Sequence, residues 1–176
     1  MNKRLLAILS FLLVITACAG EPEVSEASPL KVDLDAVVAA GVVTPVDGIT
    51  AAGQPDEAAL KVFAESGYAA VIDLRTAGES RGLDESAVVE ALGMDYLSLP
   101  IGRDGISFEN AKSLDELINS YAGPVLVHCG SSNRVGALLA LRASLDGADD
   151  EAALEIGRAG GLKNLEGRVV EILNED

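Results

Sequence analysis

The chain has 176 residues, 49% apolar and 23% charged, which is enough for one globular domain with a core to bury and excludes a disordered polypeptide. Its 28 acids against 13 bases give a formal net charge of −15. That balance excludes nucleic acid as a partner, because neutralising phosphates with bases supplies most of that affinity.

The first element does not belong to the core. Lys3 and Arg4 precede an apolar stretch, Leu5 to Ile15, broken only by Ser10; it is too short to span a bilayer as a stable helix and has the pattern of an export signal. Ile15-Thr16-Ala17-Cys18 resembles the lipobox of bacterial lipoproteins. The resemblance implies that residues 1–17 are removed, that Cys18 carries lipid, and that the protein is anchored in the cell envelope on its periplasmic face. An ordinary secretory signal cut near Ala19 is the alternative. A doubly acylated anchor holds firmly without any spanning helix. Loss of Lys3 and Arg4 would leave 11 bases against the same 28 acids, and lipid on Cys18 would leave Cys129 with no partner for a disulfide in an oxidising compartment. Residues 18–29 join the anchor to "GEPEVSEASP", a spacer with little to bury. The domain is expected over 30–176.

Within the domain, "GVVTPVDGITAAG" reads as a helix end followed by a hairpin turning at Asp47-Gly48. Pro55 and Asp56 open a helix carrying Leu60 and Phe63, which Gly67 closes. "AAVIDL" (Ala69 to Leu74) is nearly continuous in apolar residues, as a strand covered on both faces should be. Asp84 can cap a helix presenting Ala87, Val88, Ala91 and Leu92, with Gly93 as its stop. "MDYLSLP" alternates and reads as an edge-side strand. Ser107 can cap a helix with Phe108, Ala111, Leu114, Ile118 and Tyr121, ended by Gly123 and Pro124. "VLVHC" (Val125 to Cys129) is a second buried strand, and helices are expected over Asn133 to Leu145, Asp150 to Arg158 and Leu162 to Leu173. This alternation predicts an α/β fold with a mostly parallel central sheet flanked by helices.

The chemistry concentrates where "VLVHC" ends. Ligands of parallel sheets sit at the carboxyl ends of strands, beside helix N-termini whose amides are free. There Cys129 is followed by Gly130, Ser131, Ser132 and Asn133, then by Arg134 in the first turn of a helix. Consecutive amides in such a loop can hold an anion, Arg134 adds a planar fork for two oxygens, and the same field favours a thiolate.

His128-Cys129, Arg134 and Gly136 resemble the signature loop of cysteine-dependent phosphatases. That family normally places five residues between Cys and Arg, where this chain has four, and Ser or Thr after Arg, where this chain has Val135. Four-residue spacing is also that of rhodanese-like sulfurtransferases, so spacing alone leaves sulfur transfer open. The wider stretches "ITAAGQPDEAALKVFAESGYAAVIDLR", "GMDYLSLPI", "HCGSSNRVGALLAL" and "EAALEIGRAGGL", spanning Val46 to Leu165 in order, are similar to the phosphatase-like domain of bacterial beta-lactamase-hydrolase-like proteins, a branch of the dual-specificity phosphatase fold with the shortened loop.

The resemblance implies a phosphorylated protein or small molecule as substrate, Cys129 as nucleophile, and Gly130 to Arg134 as the phosphate cradle. It implies a general acid on "LPIGRDGIS", where Asp104 is the only carboxylate; a plain Asp-Gly turn is the alternative reading of that residue. Three residues are expected to support the site from behind. Arg75 would pair with Asp73 at the end of its strand. Gln54 would line the pocket or cap the next helix, and His128 would bond the loop backbone. Arg103 could add positive potential or be merely solvated. No metal or other cofactor is expected, since His128 is the only histidine. A third reading, from outside enzymology, is a non-catalytic module that holds a phosphate or sulfate.

Overall fold

The computed structural model describes residues 42–46 and 49–175. The expected leader, Cys18, the spacer, the helix end before the first strand and the Asp47-Gly48 turn lie outside these residues. Strand β1 (Val42–Val46) pairs antiparallel with β2 (Ile49–Ala52), Val46 facing Ile49. The chain then alternates helix and strand: α1 (Glu57–Glu65), β3 (Ala70–Asp73), α2 (Glu85–Ala91), β4 (Asp95–Ser98), α3 (Phe108–Asn119) and β5 (Val125–His128). Three helices finish it, α4 (Asn133–Leu145), α5 (Asp150–Ala159) and α6 (Glu166–Asn174). The sheet order is β1-β2-β5-β3-β4, four parallel strands with β1 as an antiparallel edge. This is the expected α/β architecture.

The sheet separates two apolar layers because successive side chains of a strand point to opposite faces. Ala70, Ile72, Val125 and Val127 face the core shared with α3 to α6, while Val71 and Leu126 face Leu60 and Phe63 of α1 and Val89 of α2. The caps expected from the sequence form: Asp56 accepts from the Ala59 amide, Asp84 from Ala87 and Ser107 from Asn110. Asp149 likewise accepts from Ala152. Gly67 and Gly93 follow α1 and α2 at positive φ, the backbone that ends a helix without strain in a residue lacking Cβ.

Two elements depart from the sequence reading. In α2 the inward face is Glu85 and Val89, while Ala87 and Ala91 are exposed; Glu85 is drawn inside by a buried arginine, described below, and this sets the rotation of the helix. The last helix starts at Glu166 rather than Leu162, because the Leu162 amide donates to the Gly157 carbonyl (2.8 Å) and the Lys163 amide to Asn133 Oδ1 (2.7 Å). Those residues form a docked connection.

Helix α4 is buried from Arg134 through Leu141, as an element apolar on all sides must be. It crosses α5 so closely that a Cβ on Gly136 would stand 2.2 Å from the Leu162 nitrogen and 2.5 Å from the Gly157 oxygen. Only hydrogen fits there, and this contact fixes how the start of α4 is presented. Among the described residues no helix is long and apolar enough to cross a membrane.

Candidate active site

The three central strands end level with one another: Ala52 of β2 and Asp73 of β3 both stand in register with His128 of β5. Cys129 therefore leaves the middle of the sheet at its carboxyl edge. Its amide donates to the Ala52 carbonyl at 3.2 Å and the residue is 1% exposed.

The loop beyond it is held in shape from outside. Ser132 takes φ 62, the one positive φ of a non-glycine residue among those described, a conformation that costs about 1–3 kcal/mol. Its hydroxyl donates to the Gly160 carbonyl at 2.8 Å, and Gly161 makes room for it, since a Cβ there would lie 2.6 Å from the Ser132 Cβ. Asn133 Oδ1 accepts from the Lys163 amide. With the Ser132 hydroxyl committed elsewhere, α4 has no side-chain cap. The amides of Gly130, Ser132, Asn133 and Arg134 find no backbone acceptor among the described residues. A cluster of free donors on a helix start is set to receive an anion.

Arg134 is 9% exposed and aimed across this loop. Its Nη1 donates to the carbonyls of Leu74 (3.3 Å) and Ile101 (3.0 Å) and to Glu79 Oε1 (2.7 Å); its Nη2 donates to Glu79 Oε2 (2.5 Å). The guanidinium thus turns its outer edge to Glu79, leaving Nε and the second hydrogen of Nη2 for an anion. Glu79 is fixed in turn by the amide (2.8 Å) and hydroxyl (3.1 Å) of Thr76. The Arg134 bond, against burial and with help from Thr76, holds the Glu79 carboxyl at about 2. The bond to Glu79 likewise raises the Arg134 pKa, against burial and with a contribution from nearby Cys129. A depressed carboxyl stabilises the folded state above its unfolded pKa and loses that effect as pH falls through the folded value, so this pair is intact across the neutral range. Glu79 was not among the residues expected from the sequence, where it is one acid in a polar turn.

A cleft of about 390 Å³ opens over the loop. Gly130, Ser131, Asn133 and Arg134 line it from below, while Ser132 is buried beneath. Glu79, Arg103 and Leu165 form parts of its wall. The segment after β4 makes a single 3-10 turn, Arg103–Gly105. Arg103 and Gly102 line the cleft; Asp104, on the same turn, is exposed and is not one of the lining residues.

Arg75, Gln54 and His128 do not touch the cleft. Arg75 is fully buried and pairs with Asp73, Nε to Oδ1 at 2.9 Å and Nη2 to Oδ2 at 3.0 Å, as expected, and also with Glu85. Gln54 neither lines the cleft nor caps α1, whose cap is Asp56; its amide donates to the Arg81 carbonyl and ties the chain before α1 to the loop before α2. The expected bond from His128 to the loop backbone is also absent among the described residues. Its ring is fully buried on the other side of the strand end, Nε2 2.8 Å from Glu85 Oε1 and 3.7 Å from Asp73 Oδ1, without hydrogen-bond alignment. Strand register explains this, since it sets His128 beside Asp73.

Asp73, Glu85 and His128 bring their ligand atoms within 4.8 Å of one another. The set does not suit a metal ion: the Arg75 guanidinium already bonds both carboxylates and supplies the positive charge that an ion would bring.

The family described as "Beta-lactamase hydrolase-like protein, phosphatase-like domain" matches residues 41–146. A beta-lactamase hydrolase-like protein of Xylella fastidiosa is 33% identical over 115 residues, 62% of this chain and 27% of that protein. The one from Agrobacterium fabrum is 29% identical over 111 residues, 61% of this chain and 26% of its own length. The chain spans about a quarter of the length of these curated relatives. Among solved structures, nma1982 of Neisseria meningitidis superposes with TM-score 0.64 at 19% identity, covering 74% of this chain and 96% of the other. TpbA of P. aeruginosa, solved in complex with pTyr, superposes with TM-score 0.58 at 19% identity, covering 76% and 88%.

Proposed function

Because the chain belongs to the phosphatase-like domain family of beta-lactamase hydrolase-like proteins, we propose that it hydrolyses phosphate monoesters through a phosphocysteine intermediate, as a cysteine-dependent phosphatase. The observation that carries this reading is the loop of uncapped amides between Cys129 and Arg134, with Cys129 near enough to the Arg134 guanidinium to help raise its pKa. The thiolate attacks phosphorus, and the bond to the leaving oxygen breaks with its electron pair going to that oxygen, which takes a proton from Asp104 once the 3-10 turn carries that exposed side chain over the cleft. Water then gives a proton back to Asp104 as its oxygen attacks phosphorus, the sulfur–phosphorus bond breaks, and thiolate and inorganic phosphate result. Glu79 is unsuited to the acid's role, because its carboxyl, held at about 2, carries no proton near neutral pH.

No hydroxyl follows Arg134, where Val135 is buried, and the hydroxyl of Ser132, before the helix start, is bonded to Gly160. Departure of the thiolate in the second step is therefore unassisted, and the intermediate accumulates. Acid quenching during turnover of a ³²P-labelled monoester is expected to leave label on the peptide containing Cys129; turnover with no label on that peptide would falsify the mechanism. The 1% exposure of Cys129 favours a second reading, a non-catalytic phosphate or sulfate carrier, for which labelling and turnover would both be absent.

The site of action proposed is the periplasmic face of the cell envelope, with the domain tethered by lipid on Cys18. The support is the Ile15-to-Cys18 sequence and the polar spacer behind it. Mass spectrometry of the native protein is expected to find an N-terminal peptide that starts at a lipidated Cys18; an unmodified peptide there rules out the anchor.

A further inference from the structure

We propose that the substrate is a small, non-aromatic phosphate monoester carrying a second anionic group, and that Arg103 reads that second group. The inference rests on the phosphate-ester reading of the loop and adds to it the chemistry of the leaving group.

Glu79 already neutralises Arg134 with two bonds, whereas Arg103, the other cation lining the cleft, has no ion-pair partner among the described residues. Acids outnumber bases 28 to 13 in this chain, and free bases are correspondingly scarce. Of ten bases in the described residues, seven form ion pairs within 4.0 Å: Lys61, Arg75, Arg81, Arg134, Arg142, Arg158 and Arg168. Arg103, Lys112 and Lys163 do not. Of these three Arg103 lines the cleft, and Lys163 is in the segment whose backbone is bonded to Asn133 of the loop. A chain this acidic repels anions at long range. Local positive charge at the mouth of the cleft offsets that repulsion where the substrate enters.

The cleft, about 390 Å³, falls in the range that holds a whole small molecule rather than one phosphoryl group. Four loop amides and the free edge of Arg134 are enough donors for the phosphate oxygens, so Arg103 is left for another part of the ligand. Among the described residues no aromatic side chain lines the cleft, and Leu165 is the one sizeable apolar residue there. An aryl leaving group would find no ring to stack on, whereas a short polar chain ending in carboxylate or phosphate would find a guanidinium.

A matched pair of probes isolates the effect. 3-Phosphoglycerate and glycerol 3-phosphate share a three-carbon phosphate ester and differ in having a carboxylate or a hydroxymethyl group at the far end. Calorimetry on the full chain with Cys129→Ser, at low salt, is expected to show 3-phosphoglycerate binding about tenfold more tightly, the scale of one charge-assisted contact. Adding Arg103→Gln should bring the ratio close to one, and Arg103→Lys should restore most of it. Raising the salt concentration should shrink the preference, since the contact is exposed. Equal affinities before the Arg103 change, or Arg103→Gln weakening both ligands by one factor, would show Arg103 acting on the reacting phosphate or on nothing, and would overturn the proposal. So would failure of both probes to bind. If the preference is found but the wild-type chain turns over neither compound, the hydrolase reading fails while the assignment of Arg103 stands.

Discussion

Cys129→Ser is expected to lower phosphate-ester turnover about a thousandfold or more, to remove acid-stable labelling, and to leave both the melting temperature and anion affinity close to those of the wild type. The exchange is nearly isosteric at a residue 1% exposed, and the Cys129 amide keeps its bond to Ala52, so the loop has no reason to move. A serine hydroxyl cannot replace the thiolate, because it stays protonated where a thiol ionises, and the buried His128 ring, next to it in sequence, lies near Glu85 and Asp73 on the other side of the strand end. Arg134→Ala provides the contrast. It removes the fork that holds the anion and leaves Glu79 without its partner, so binding and turnover should fall together. Kinetics on a small monoester and calorimetry with inorganic phosphate separate the cases. If Cys129→Ser retains turnover, the cysteine is not the nucleophile. If the wild type binds phosphate but never turns over, the loop is a carrier.

Much of this site is local and therefore legible in one sequence. A buried strand, a loop with Gly130 and a helix start at Asn133 are properties of contiguous residues, and the capping acids of α1 and α2 announce themselves in the same way. The partners of the site are not local. Glu79 reaches Arg134 across 55 positions, and nothing in Thr76 to Glu79 distinguishes a clamp from a solvated turn. Glu85 reads as an ordinary first-turn acid of a helix, favourable there for the helix dipole alone. Its burial could have been suspected only from Arg75, whose position directly after an apolar strand demands buried negative charge nearby. Aligning the ends of "AVID" and "VLVH" would also have put His128 beside Asp73 and removed it from the loop. Gln54 gave no such signal, since its partner is the Arg81 backbone and a carbonyl carries no sequence signature.

The second large effect follows from that cluster. Arg75→Leu is expected to cost about 3–5 kcal/mol, which in a domain of this size lowers Tm by about 6–20 °C. Arg75 is fully buried and, among the described residues, is the one lysine or arginine paired with Glu85, whereas Asp73 keeps Arg81 at 2.5 Å and the Tyr96 hydroxyl at 2.8 Å. The stranded charge in the variant is thus Glu85. Arg75→Leu with Glu85→Leu should accordingly be more stable than Arg75→Leu alone, although it has lost one more native residue, and a double-mutant cycle measures the difference. Acid titration gives an independent check. Burial raises the Asp73 carboxyl, but the Arg75 side-chain bond, the His128 ring, the Arg75 amide and the Tyr96 hydroxyl outweigh it and hold the group at about 2 against an ordinary 3.8. Its stabilising effect is complete above the unfolded value and is lost as pH falls from 3.8 toward about 2. Wild-type Tm should therefore drop through that window. The Arg75→Leu protein should drop less, because its Asp73 has lost the Arg75 bonds that hold the wild-type group down, and the two melting curves, followed by circular dichroism, should draw together at low pH. Parallel curves would mean that Arg75 stabilises the domain by filling space rather than by holding the two acids.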